Sequence, residues 1–240
     1  MYSSNINIIG GYENFSSLIV QLSEEDQTIA TTRTLASKNR FKIAVQSVFL
    51  NYIDKNHELL FHAGLQSNRL SSFEKNYILL LQFASNDELF YKLFTEVYVN
   101  AYHQGRAILT REDVSSYLYY LKEERQELKE WSENTIDITG SKFLTLLKKM
   151  GIVEGGVKKK IKDINIAGDL LVFILYWVMF INKQHELLTS NLFPVLLQTR
   201  DKLIFNLKQG SVKKYIHWNY NGQKLIIENK INFESYLNEL

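Results

Sequence analysis

Cysteine is absent from the 240 residues, and proline occurs once, as Pro194. Without cysteine there is no disulfide, no thiolate metal site and no cysteine nucleophile, and a reducing compartment fits the composition. Structural zinc is thereby disfavoured. With one proline and no Gly/Ser-rich linker or low-complexity tract, little interrupts long helices. Long apolar runs are scarce as well. The one membrane candidate is LLVFILYWVMFI at 170–181, twelve residues bounded by Asp169 and Asn182. A spanning helix needs about 20 apolar residues, so this run predicts a helix buried in a protein core. Residues 1–11 lack a basic region followed by an apolar stretch, so no secretory signal is read there, and a cytoplasmic location is expected.

What is present is an ordinary globular balance, 45% apolar and 22% charged, enough to bury a sizeable core in one large domain or two modest ones. The net charge of +2 hides a segregation. Residues 27–53 hold Arg33, Lys38, Arg40 and Lys42 with no acid, and residues 142–162 hold seven lysines against Glu154. These windows carry +4 and +6, which leaves −8 for the rest of the chain. Such separation suits an anionic partner at the basic regions, although a solvated lysine face is the commoner cause of any one such run.

Apolar spacing predicts a helix over 86–104, where Leu89, Phe90, Leu93, Phe94, Val97, Tyr98 and Ala101 form one stripe, with Ser85 and Glu88 as its capping box. A second starts at Thr110, capped with Asp113 and stapled by Leu109 and Val114, and runs to about 128. A third starts at Ser132, stapled by Trp131 and Ile136, and ends at Gly151. Further helices are expected near 13–22, 40–55, 71–83, 168–183 and 192–208, with Ser71 and Glu74 capping the third of these. Strand signals are confined to the C-terminal half. Residues 212–220 and 224–229 flank Asn221-Gly222, which predicts a hairpin on a type I′ turn. A weaker hairpin or wing is expected at 152–164 around Gly155-Gly156.

Catalytic patterns are missing. His57, His62, His103, His185 and His217 are dispersed, and the one local pair is five apart, whereas helical metal pairs need i, i+4 spacing. Glu123, Glu127 and Glu130 are interleaved with Lys122, Arg125 and Lys129, as on a solvated helix. Gly151 and Gly156 have the spacing of phosphate-loop glycines, yet Val157 stands where that loop requires lysine. Neither a nucleophile elbow nor a dinucleotide fingerprint occurs. No enzyme activity, cofactor or metal is expected.

What remains is the stretch 110–164, ordered helix, connection, helix, glycine-centred hairpin, the order of a winged helix-turn-helix. On a helix over 133–150, Ile136, Phe143, Leu147 and Met150 share one face, while Asn134, Ser141, Lys142, Thr145, Lys148 and Lys149 lie opposite. An apolar face thus opposes a basic, hydroxyl-rich one of the kind used for phosphate contacts and groove readout. A capped surface helix with lysines for solubility would look the same. Gly140 costs such a helix about 1 kcal/mol relative to alanine, so it is either tolerated inside the helix or the turn before a shorter one starting at Ser141.

WSENT at 131–135 followed by FLTLLKKMGIVEG at 143–155 resembles the BrxA family of bacteriophage-exclusion (BREX) systems. LFYKLFTEVYVNAY and then ILTREDVSSYL precede WSENT in the family's order, and the N-terminal GYENFSSLIVQL and SKNRFKIAVQSVFL are also similar to family members. The resemblance covers most of the chain, and its motifs are caps and apolar spacing. It implies a helical protein likened to the NusB antitermination factor, a non-enzymatic part in antiphage defence, and binding to double-stranded DNA. The KKKIK segment and a longer C-terminal hairpin depart from the family pattern.

The expectation is therefore a mainly α protein, a NusB-like helical bundle at 1–109 joined to a C-terminal domain at 110–240 with a winged-helix-like part and a small β-hairpin. Duplex DNA and other BREX proteins are the expected partners. Charge placement assigns DNA contacts to Arg33, Lys38, Arg40, Lys142, Thr145, Lys148, Lys149, Lys158, Lys159, Lys160 and Lys162. The rival functions are protein docking through Tyr215, Trp218 and Tyr220, since such aromatics are enriched at interfaces, and RNA binding by analogy with NusB.

Overall fold

The computed structural model describes residues 4–12 and 34–240. The helix expected at 13–22 and the candidate Arg33 lie outside them. The described helices begin with α1 (Asn5–Gly10), α2 (Leu35–Phe49), α3 (Lys55–Gln66), α4 (Ser72–Asn86) and α5 (Glu88–Leu93). A π turn (Phe94–Val99) continues α5 into α6 (Asn100–His103). Next come β1 (Ile108–Leu109), α7 (Arg111–Glu124), α8 (Glu133–Lys149), β2 (Val153–Glu154) and β3 (Lys159–Ile161). The remainder is α9 (Gly168–Tyr176) with a π turn (Trp177–Ile181), α10 (Arg200–Leu207), α11 (Gly210–Lys213), β4 (Ile216–Tyr220), β5 (Leu225–Asn229) and α12 (Phe233–Glu239). Among the described residues the protein is mainly helical with two small sheets.

The chain divides into two compact units, one of Met1–Asn51 and Asn76–Asp163, the other of Tyr52–Lys75 and Ile164–Leu240. The expected boundary at 109 falls inside the first unit, where β1 pairs with β3.

In the first unit, all seven residues of the predicted 86–104 stripe are buried. Its cap differs from the expected Ser85–Glu88 box. Asp87 starts α5, its carboxylate accepting from the Phe90 amide at 2.9 Å and from Asn5 Nδ2 of α1 at 3.1 Å. One carboxylate thus closes a helix end and anchors a distant segment. Phe83, Phe90, Phe94 and Tyr98 then stack in sequence, and Phe143 of α8 meets Phe90 edge-on.

Local chemistry sets the starts of α7 and α8 as expected. Thr110 accepts from the Asp113 amide while Asp113 accepts from the Thr110 amide at 2.7 Å, and Ser132 accepts from the Thr135 amide at 3.2 Å. Thr110→Ala should lower unfolding stability by about 0.5 to 2 kcal/mol, read as a shift in denaturant midpoint with an unchanged slope. Helix α8 runs unbroken through Gly140. A Cβ there would lie 3.3 Å from Ser115 Oγ and 3.4 Å from Arg111 Cγ, so the glycine lets α7 and α8 approach closely. Gly151, with φ +81°, ends the helix.

Asp113 titrates below its ordinary value. Burial acts to raise it, but hydrogen bonds from Arg106 and from the Thr110 amide and hydroxyl outweigh that. A depressed carboxylate contributes stability above its unfolded pKa and loses it as pH falls through the lower folded value. Asp113→Asn should therefore flatten the acid side of a stability-against-pH curve below about pH 4, measured by urea midpoints.

The second unit holds the apolar run. Residues 170–181 are buried except for half-exposed Phe180, and no helix among the described residues is long and apolar enough to cross a membrane. Two expectations are corrected here. The helix predicted from 192 starts at Arg200 on a Thr199 cap, with Pro194 in a separate short 3₁₀ turn. The hairpin forms, but Tyr220 pairs with Leu225, which leaves a four-residue loop rather than a two-residue type I′ turn. Asn221 Oδ1 shapes it by accepting from the Gln223 and Lys224 amides at 3.0 and 2.8 Å.

Candidate nucleic-acid interface

The first unit assembles one structure from 108–161. Strand β1 leads directly into capped α7, a short 3₁₀ turn (Gln126–Leu128) connects to α8, and α8 ends at a hairpin of β2 and β3. The three strands form an antiparallel sheet in the order β1-β3-β2, with Leu109 opposite Lys159 and Glu154 opposite Lys160. Strand β3 thus closes the sheet against the strand that precedes both helices. Helices α7 and α8 are joined by Arg111–Asp137 at 3.5 Å and by Ser115 Oγ donating to Asp137 at 3.2 Å.

Helix α8 does not present the broad lysine face read from its sequence. The short helix α1 lies against it. Asn7 Nδ2 donates to Thr139 Oγ1 at 3.0 Å, and Gly10 sits so close that a Cβ would come within 2.8 Å of the Lys142 carbonyl. Lys149 Nζ donates to the Gly10 carbonyl at 3.1 Å and to that of Tyr12, which places a cation at the carbonyl end of α1, where the helix dipole favours it. Lys142 and Lys149 are both half-buried. The exposed part of α8 is a narrower stripe of Asn134, Ile138, Ser141, half-exposed Thr145 and Lys148. Ile138, 42% exposed, belongs to this stripe and was missed, because apolar residues on a helix are assigned by default to the core.

The hairpin separates the remaining lysines. Lys158 is exposed at its tip beside Val157, which is 93% exposed. Lys160 is exposed and lies 3.6 Å from Glu154. Lys159 points the other way and is buried. Its pKa lies below the usual lysine value, through burial first and then the nearby Lys148 ammonium. Lys162, past the end of β3, is half-buried. On α2, Lys38, Arg40 and Lys42 are exposed opposite buried Phe41, Ala44, Val45 and Val48.

The aromatic residues of the C-terminal hairpin are engaged within their own unit. Tyr215 is buried and donates to Glu239 at 2.7 Å, Trp218 Nε1 donates to the Leu207 carbonyl at 3.2 Å, and the Arg200 guanidinium lies over the Tyr220 ring.

Comparison with protein families places the assembly. Residues 65–174 match the BrxA family. Over this segment the chain is similar to the BrxA family. The BrxA match contains α5 through β3 entire, and hence the sheet, α7, α8 and the lysine hairpin. A search of curated proteins returned no match.

Proposed function

We propose that this protein, similar to the BrxA family over 65–174, is a non-enzymatic, duplex-DNA-binding component of a BREX-type phage-defence system, and that 88–161 is a winged-helix unit with the β2–β3 hairpin as its wing. The carrying observation is the strand order β1-β3-β2 with α7 and α8 inserted between β1 and β2. That topology makes one side of α8 and one hairpin adjacent parts of a single structure. The side-chain chemistry supports the same reading. Asn134 and Ser141 are groups that donate to phosphates and base edges, and Lys158 and Lys160 supply charge beside them.

The supporting lysines are fewer than the sequence suggested. Lys149 is held by carbonyls at the end of α1 and Lys142 is half-buried, so phosphate contact falls chiefly to Lys158 and Lys160, with Lys38 and Arg40 of α2 as a second group. Binding carried by a few lysines and short polar groups is expected to be weak in sequence preference and steep in salt. The decisive measurement is a gel-shift series with duplex DNA, single-stranded DNA and RNA of matched length at two salt concentrations. Duplex preference that fades steeply with salt is the expected result. Preference for RNA would favour the antitermination-factor analogy, and no binding to any of the three at low salt would leave protein docking as the function.

A further inference from the structure

The four lysines of 158–162 are one block in the sequence, but the hairpin gives them different work. Lys159 is 9% exposed, and its ammonium donates to the carbonyl of Gly156 and, at 3.5 Å, to that of Gly155. Lys148 reaches the same Gly155 carbonyl from the last turn of α8 at 2.8 Å. Two cations, one from the helix and one from the strand, therefore hold the carbonyls of one turn. That turn has no slack. Gly155 has φ +101°, and a Cβ on it would meet the Lys158 carbonyl at 2.8 Å, so the backbone is folded back on itself there. The strand period of two puts Lys158 and Lys160 on the outer side and Lys159 on the inner one, in agreement with their exposure.

Given duplex binding through this hairpin, we propose that Lys148 and Lys159 are positioning residues that fix the wing against α8, and that Lys158 and Lys160 make the phosphate contacts. The two roles have different signatures. A phosphate contact releases counterions, so its loss makes the salt dependence of log K shallower by about 0.9. A positioning residue contributes by ordering the hairpin before binding. Its loss weakens binding by the same factor at every salt concentration, roughly three- to tenfold for an ordering cost of this size.

The test compares Lys159→Met, Lys159→Arg and Lys158→Met in the full chain, by duplex affinity over a salt series and by backbone amide exchange at 155–158. For Lys158→Met the expected result is a shallower slope with unchanged exchange. For Lys159→Met it is an unchanged slope, a constant loss of affinity and faster exchange at Gly156 and Val157, with Lys159→Arg restoring most of both. A slope change in Lys159→Met equal to that of Lys158→Met would make Lys159 a phosphate contact and overturn the proposal. So would unaltered affinity and exchange in Lys159→Met while the parent chain binds duplex. Failure of the parent chain to bind duplex at all would instead overturn the functional reading, and the positioning role with it.

Discussion

Replacing Lys158 and Lys160 together with glutamine should weaken duplex binding strongly at low salt and much less at high salt. Both side chains are exposed on the outer side of the hairpin, and Lys160 has only a loose, solvent-accessible neighbour in Glu154 at 3.6 Å. Such a pair is worth little by itself, so Lys160 can exchange it for a phosphate at small cost. Two lost contacts should make the salt slope shallower by about 1.8. Between about 50 and about 200 mM salt, the gap between parent and variant should therefore shrink roughly tenfold. Folding should be unaffected, because neither ammonium holds a buried group. The matched control is Lys208→Gln with Lys224→Gln, both exposed in the other unit. If that pair flattens the slope equally, net charge alone governs binding and the hairpin has no special part. Lys142 and Lys149 do not belong in the variant, since removing Lys149 would uncap α1 and confuse stability with contact.

The difference between these lysines shows what the sequence could and could not tell. The caps at Thr110, Ser132 and Ser71 were legible because each is a contact over three residues, fixed by local backbone geometry. The buried run at 170–181 was legible from its length, and the glycine-centred hairpin from turn chemistry. Lys159 could have been read correctly too. In any strand through 158–160 the middle lysine must face away from its neighbours, but the run was treated as a charge density rather than a strand. The partial burial of Lys142 and Lys149 could not be read at all. It depends on α1, six residues whose sequence NINIIG alternates polar and apolar as a strand would, docking on a helix some 130 residues later in the chain. Asp87 escaped for a similar reason. Ser85 and Glu88 make a better-known capping pair, and the tie that favours Asp87, the hydrogen bond from Asn5, spans 82 positions. Ile138 and Val157 mark a third kind of gap. Periodicity assigns apolar residues inward, so an apolar side chain left outside carries no sequence signal of its own.

Phe90→Ala should be the most damaging single substitution in the first unit. Its ring is fully buried, stacks on Phe83 with centroids 4.2 Å apart, extends to Phe94 at 6.2 Å, and receives Phe143 edge-on at 5.7 Å. Those partners belong to α4, to the π turn and to α8, so one side chain joins three segments. Removing a buried phenylalanine costs about 3 to 5 kcal/mol through lost burial and the cavity left behind. Total stabilities run about 5 to 15 kcal/mol, so the variant should lose a large share of its denaturant resistance. Phe205→Ala, at a ring 63% exposed, should change the midpoint by no more than about 0.5 kcal/mol. The functional consequence follows from Phe143, which seats the middle of α8. With Phe90 gone, the exposed stripe Asn134, Ile138, Ser141 and Thr145 loses its support before any of its own residues is altered. Duplex affinity should then fall under conditions where Phe90→Ala is still mostly folded, while the slope with salt stays close to that of the parent, because Lys158 and Lys160 remain. Full affinity in a variant that has lost several kcal/mol of stability would mean that α8 does not take part in binding, and that the hairpin acts alone.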